Sequence, residues 1–344
     1  MEPVRHLRHG RPGRPALRAA SLAAALCVLA SCLDEPAATP PSVFDLKPPT
    51  LLEAGPEGGR AFVLRFDEEV EPVAGSFSLD PGLGSAVPGA GGSELRLAFE
   101  REQEPGREYS LFGEVRDAKG NGSRFLLAFT GYNGHPARLR ITEVQTAKNS
   151  STTRPHRDFV EFLVLADGNL GGMEFTAAST VKRTAWRFPG AEVRAGEVLV
   201  LHCAPEGLAS ERDETGLDLG LSGGIDSSPA RDFWSKAGAL PDATGLILVS
   251  GAPGGRPVDA LFYAEATKSG PIGEGLLGGL VEQLLEFNLW KVGGIPAWED
   301  AFLWKPSSAR SILRRDLAEP EPGAVEWRES VTSGQSPGTA VQPP

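Results

Sequence analysis

From about residue 43 onward the chain is written in short apolar or alternating runs of five to seven residues, nearly all stopped by glycine or proline, and this spacing constrains the fold most. Runs of that length fill a β-strand but not an average helix, and glycine and proline are the residues that turn one strand back on the next. The 42 Gly and 29 Pro, with 40% hydrophobic and 23% charged residues, suit a β-rich globular chain and exclude collagen-like, coiled-coil and multi-span membrane classes. At 344 residues there is room for two or three domains and a sizeable core.

The N-terminus follows a different rule. Residues 1–31 carry five Arg and one acid, Glu2, then the apolar run from Ala19 to Ala30. A membrane-spanning helix needs about 20 apolar residues, so this shorter run reads as a signal peptide, with a charged region followed by an apolar one. Its end, Leu29-Ala30-Ser31-Cys32, resembles the lipobox of bacterial lipoproteins. The resemblance implies cleavage between Ser31 and Cys32, lipid attachment at Cys32 and a place in the bacterial cell envelope, on the inner or the outer membrane. Residues 32–42 form a Pro-rich tether. Cleavage removes more cations than acids, so the exported body is more acidic than the formal charge of −11 for the whole chain. An acidic surface does not neutralise phosphates, which argues against nucleic acid and against direct binding to an anionic bilayer; acyl chains on Cys32 would make the membrane contact. With Cys32 acylated, Cys203 has no partner for a disulfide.

Between residues 43 and 131 the runs 60–66, 93–99, 108–112 and 124–129 predict strands, with a tight turn at Asp117-Ala-Lys-Gly-Asn-Gly122. Phe66-Asp-Glu-Glu-Val70 and Tyr109 through Asp117 with Gly120-Asn121 resemble bacterial Ig-like domains. After a linker at 132–136, runs at 139–144, 159–165, 197–202, 245–249 and 257–263 predict a second β-domain over 137–344. An ordered series is similar to the lamin-tail domain: Ile141-Thr-Glu143, Asp158-Phe-Val-Glu161, Gly171-Gly172 before Phe175, Arg187-Phe-Pro, Gly255-Arg-Pro-Val-Asp259, Tyr263, Arg314, Trp327 and Ser336-Pro-Gly338. The two resemblances imply an all-β protein of two Ig-like β-sandwich domains in tandem, without catalytic residues in the second. That domain exceeds a compact sandwich by two insertions, at about 204–243 and 265–305. The second insertion holds Leu276, Leu277, Leu280, Val281, Leu284, Leu285 and Leu289 at helical spacing, which predicts one inserted amphipathic helix. Trp290, Trp298, Phe302 and Trp304 follow and form a candidate partner surface.

Leu221 to Ser228 resembles the loop of ATP pyrophosphatases, but the residues before it are too polar for a buried parallel strand and Pro229 interrupts the helix such a loop needs. Gly334-Gln-Ser-Pro-Gly338 fits the spacing of a nucleophile elbow, yet Pro337 lacks the N–H an oxyanion hole requires. In the 117–128 segment Lys119 and Ala128 occupy ligand positions of a calcium loop. His202 and Cys203 are adjacent on a strand and so face opposite ways, leaving Cys203 as a small apolar residue. His135, His156 and His202 lack the paired spacing of a zinc site. Asp158 and Glu161 read as a turn cap and an edge hydrogen bond. The expectation is a non-catalytic binding, display or tethering protein, without cofactor or metal, whose partners are the membrane through acylated Cys32 and an envelope protein or glycan. The rival is an envelope hydrolase built in the insertions from His202, Asp213, Asp226 and Asp232, which requires those side chains to converge.

Overall fold

The computed structural model describes residues 46–147, 158–223, 228–317 and 322–339. The signal segment, the tether, Ser31, Cys32 and Asp226 lie outside them. The described residues are mostly β, with one α-helix.

The first body contains β1 (Leu51–Gly58), β2 (Ala61–Pro72), β3 (Ser78–Asp80), β4 (Ala86–Pro88), β5 (Gly92–Phe99), β6 (Glu108–Arg116) and β7 (Gly122–Thr130). Alternation along β2, β5 and β6 sends Phe62, Leu64, Leu95, Leu97, Tyr109 and Leu111 into one core. β2 pairs with β1 up to Phe66 and with β5 up to Arg65, rejoins β5 at Val70 after a register shift, and pairs with β6 at Glu71 and Pro72. The seven strands form one sheet ordered β3-β6-β2-β5-β4, with β1 paired to β2 and β7 to β6. The expected turn at Asp117 joins β6 to β7. Its carboxylate accepts from Lys119 N and Asn121 N, both 2.8 Å, and from Asn121 Nδ2 at 2.7 Å, so its oxygens serve the turn itself.

In the second body β8 (Arg138–Gln145), β9 (Asp158–Ala166), β14 (Val198–Cys203), β15 (Arg231–Ser235), β19 (Ile312–Arg314) and β20 (Trp327–Glu329) form a six-stranded sheet ordered β15-β14-β9-β8-β19-β20. β11 (Glu174–Ala178), β12 (Arg183–Arg187), β16 (Gly245–Ser250), β17 (Pro257–Glu265) and β18 (Phe302–Trp304) form a five-stranded sheet ordered β12-β11-β16-β17-β18. β10 (Gly168–Asn169) and β13 (Glu192–Val193) pair separately. Phe162, Leu199, Leu201, Phe175, Leu248 and Phe262 from both sheets belong to one core. All of β16 is buried because α1 (Leu276–Glu286) packs on it and on β17 through Leu277, Leu280, Val281 and Leu284. The predicted apolar stripe is thus a cover for a sheet, the arrangement that buries one helix face most directly.

The two bodies touch through backbone. Gly106, at φ +77°, lies so close to Gly171 and Gly172 that a Cβ there would come within 2.6 Å of Gly171 Cα. Only glycine permits that approach. The segment at 132–136 is pinned: Tyr132 N donates to Gln103 Oε1 (3.0 Å), and Asn133 Nδ2 donates to Asn169 O and Gly171 O (2.8 and 2.9 Å).

Candidate functional site

Alternation along the six-stranded sheet points Leu199, Leu201 and Cys203 inward and Val200 and His202 outward. The outer face carries two clusters of buried ionisable groups.

The first is a carboxylate pair. β8 bulges between Ile141 and Glu143, which sets Glu143 opposite Glu161 and makes Thr142 the extra residue. Both carboxylates have no solvent exposure. Thr142 Oγ1 donates to Glu161 Oε1 at 2.6 Å, Ser311 Oγ donates to Glu143, and Ser336 N and Oγ reach Glu143 at 3.2 and 2.9 Å. Gly338 N donates to Glu161 Oε2 at 2.9 Å. Burial drives both carboxyls upward, Glu161 to about 7 with a contribution from Glu143 beside it. The expected edge role for Glu161 is corrected: it sits on a central strand because the sheet continues through β14 and β15 on one side and β8 on the other. Asp158 is likewise buried, with Leu240 N donating to its Oδ2 at 2.8 Å.

The second cluster lies at the β15 edge. β15 runs parallel to β14, with Asp232 beside Val200 and Trp234 beside His202. His202 Nε2 lies 3.0 Å from Asp232 Oδ1, Ser228 Oγ donates to the same oxygen at 2.6 Å, and Ser228 N donates to Asp232 Oδ2 at 2.9 Å. The Trp234 ring stacks on His202 at 4.1 Å. Segment 204–223 folds back along this edge, where side chains replace a missing strand: Glu214 Oε2 accepts Asp232 N (2.8 Å) and Asp213 Oδ1 accepts Trp234 N (2.8 Å). Glu214 Oε1 also accepts Ser222 N at 3.0 Å, and Ser222 Oγ accepts Trp234 Nε1 at 2.9 Å. Capping an exposed edge in this way blocks further strand addition.

So His202, Asp213 and Asp232, expected to scatter unless the chain were a hydrolase, do gather around Trp234. Their order is unlike that of an acyl-transfer site. There the imidazole stands between nucleophile and carboxylate, whereas here the carboxylate stands between Ser228 and His202. His202 and Asp232 are 2% and 1% exposed, which leaves no surface for substrate. Cys203 is buried in the core, on the face opposite His202, and burial pushes its thiol well above the usual range.

The candidate partner surface needs correction. Trp290 and Trp304 are core residues at 2% and 1% exposure, and their indole N–H groups donate to Asp300 O (2.8 Å) and Ala243 O (3.3 Å). The helix and β18 cover the end of the five-stranded sheet and need large side chains to fill the space. Trp298 and Phe302 are half-buried against the same core, with Lys268 Nζ 5.4 Å over the Trp298 ring.

What sequence reasoning missed is a cleft of about 570 Å³ where the two bodies meet, lined among others by Pro56, Phe129, Tyr132, Arg187 and Pro253. Tyr132 is 39% exposed there, and Arg187 Nη1 donates to Glu108 Oε1 and Thr130 Oγ1, both at 3.0 Å. The lining comes from six separate stretches of chain, so no local pattern announces it.

The fold and these buried clusters define a mostly β protein of several sheets. Residues 137–331, more than half of the chain, match the family model TP_1001_2nd, described as a protein second domain, and the chain belongs to that family. It is also 33% identical over 173 residues to an uncharacterized protein of Treponema pallidum (strain Nichols). That match covers 50% of this chain and 43% of the relative, so the chain spans less than half of that protein's length. No solved structure matches.

Proposed function

We propose that this chain is a lipid-anchored protein of the bacterial cell envelope that binds or tethers without catalysis, through two Ig-like sandwiches of which the second resembles a lamin-tail domain. The observation that carries the binding role is the junction cleft. Clefts between bodies are preferred ligand sites, and this one offers the half-exposed Tyr132 ring beside the Arg187–Glu108–Thr130 group. An envelope glycan or protein is its occupant, and Cys32 is its membrane anchor. Supporting the non-catalytic reading, both ionisable clusters spend their hydrogen bonds inward. Two measurements test the proposal. Cys32→Ala should move the protein from the membrane to the soluble fraction; unchanged fractionation refutes the anchor. Co-sedimentation of the soluble form with purified cell wall should fall at least several-fold in Tyr132→Ala, and equal sedimentation of the two removes the cleft as the binding site.

One observation favours the hydrolase alternative: Ser228, Asp232 and His202 form a bonded chain. It predicts labelling of Ser228 by a fluorophosphonate, lost in Ser228→Ala. Absence of labelling in the folded protein eliminates a serine hydrolase at this place.

A further inference from the structure

The segment from Ser330 to Thr339 crosses the outer face of the six-stranded sheet and contains no charged side chain. Its first half is tied to neighbouring backbone: Ser330 N donates to Ser311 O (2.9 Å), Ser333 N to Ala309 O (2.7 Å) and Gln335 Nε2 to Ser308 O (2.9 Å). Its second half is held differently. Ser336 N and Oγ and Gly338 N all donate to the oxygens of Glu143 and Glu161. Gly338, at φ +80°, rests on Ser228 and Pro229 so closely that a Cβ would lie 2.8 Å from both.

We propose that Ser336–Thr339 is an acid-closed strap, shut while the Glu143–Glu161 pair shares a proton and released as that proton leaves. The charges around the pair are almost all its own. From β8 and β9 come only the two carboxylates and the Thr142 hydroxyl; the strap supplies neutral donors, and Ser311 another. On β14, Val200 stands opposite Glu161, and beyond it Asp232 of β15 is bonded to His202 and Ser228. On β20, Arg328 acts on Glu143 through space, while Glu329 is paired with Arg310. Among the described residues no cation forms an ion pair with either carboxylate. Two adjacent carboxylates in such a site cannot both be charged without cost, and they titrate as a coupled pair. With the strap open, water reaches them and the cost disappears.

The sign follows from linkage. In the closed state burial and the neighbouring Glu143 raise the Glu161 carboxyl more than the donors of Gly338, Thr339 and Thr142 lower it, so the closed state binds the extra proton, is fully favoured below the ordinary glutamate value, and loses that advantage as pH rises through about 7. Moving one carboxyl from 4.5 to about 7 raises the opening equilibrium about 70-fold between pH 5 and pH 8. Opening uncovers the pair and the neighbouring Ser228–Asp232–His202 chain.

Hydrogen exchange of the detergent-solubilised full-length protein, with rates referred to intrinsic exchange at each pH, tests this. Protection at Ser336, Gly338 and Thr339 should fall about 70-fold from pH 5 to pH 8 while β16 stays protected. Glu161→Gln, which keeps an acceptor for Gly338 N without a titrating group, should reduce that fall to a few-fold. A strap whose protection is independent of pH, or whose pH dependence persists in Glu161→Gln, overturns the proposal. If β16 loses protection in Glu161→Gln, Glu143→Gln puts the same question from the other carboxylate, and an undiminished pH dependence there also overturns it.

Discussion

Arg314→Met should be among the most destabilising single changes in the second body. Arg314 has 1% of its side chain exposed, and its Nη2 donates to both oxygens of Asp259 at 2.8 and 2.7 Å. It forms a second ion pair with Glu326, donates from Nε to Ile141 O at 2.6 Å, and lies 4.3 Å over the Trp327 ring. Asp259 in turn accepts Ile141 N at 2.6 Å, so the pair grips one backbone unit of β8 from β17 and β19 and ties the two sheets together. Methionine fills much of the volume but leaves two poorly exposed carboxylates facing each other. Breaking one partner of such a pair costs about 3–5 kcal/mol, and at about 2–4 °C per kcal/mol for a body of this size Tm should fall by about 10 °C. The loss should also depend on pH. Burial raises the Glu326 carboxyl while Arg314 holds it down, so removing the cation lets it rise further and the folded variant takes up a proton more readily than the unfolded one. Its deficit therefore shrinks as pH falls, and should be smaller at pH 5 than at pH 8. Arg314→Lys, which keeps the charge but not the fork, should fall between. Thermal unfolding of the Cys32→Ala form followed by tryptophan fluorescence is the assay. A variant within about 1 kcal/mol of the parent, or a deficit equal at both pH values, refutes the reasoning.

Three further outcomes are expected. Glu214→Ala strips acceptors from Asp232 N and Ser222 N, at about 1–3 kcal/mol for each buried N–H left unpaired, and limited proteolysis should then cut first within 204–223 while Glu214→Gln is spared most of the loss. Trp290→Ala should cost about 3–5 kcal/mol by opening a core cavity, and Trp298→Ala clearly less because that ring is half-buried; equal losses in urea unfolding would contradict the packing described. Cys203 should resist maleimide at pH 8 in the folded Cys32→Ala protein and react on unfolding, since burial keeps its thiol protonated.

Much of the second body was legible because its strands carry their own local signal. The runs read at 139–144, 159–165, 197–202, 245–249 and 257–263 coincide with β8, β9, β14, β16 and β17 to within a few residues. The Leu stripe likewise announced α1, although its helix stops at Glu286, where Phe287 ends the hydrogen-bond ladder and Asn288 turns at φ +55°. Short elements escaped: β10, β13, β15 and β18 have too few residues for a period to show. Trp290 and Trp304 were misplaced for a related reason, since a cluster of tryptophans has the same composition on a surface as in a core.

The sequence by itself determined the class of fold, many of the strand positions and the opposed faces of His202 and Cys203, because each depends on period, composition or neighbours in the chain. Only the tertiary structure decided that Ser336 and Gly338 close over Glu143 and Glu161, that Asp259 and Arg314 grip the same residue of β8, and that acids of an insertion cap β15. Those contacts join residues up to 193 positions apart. They exist because the sheets bring buried polar groups to places where burial obliges each to find a partner, and which partner is near is a property of the packed chain.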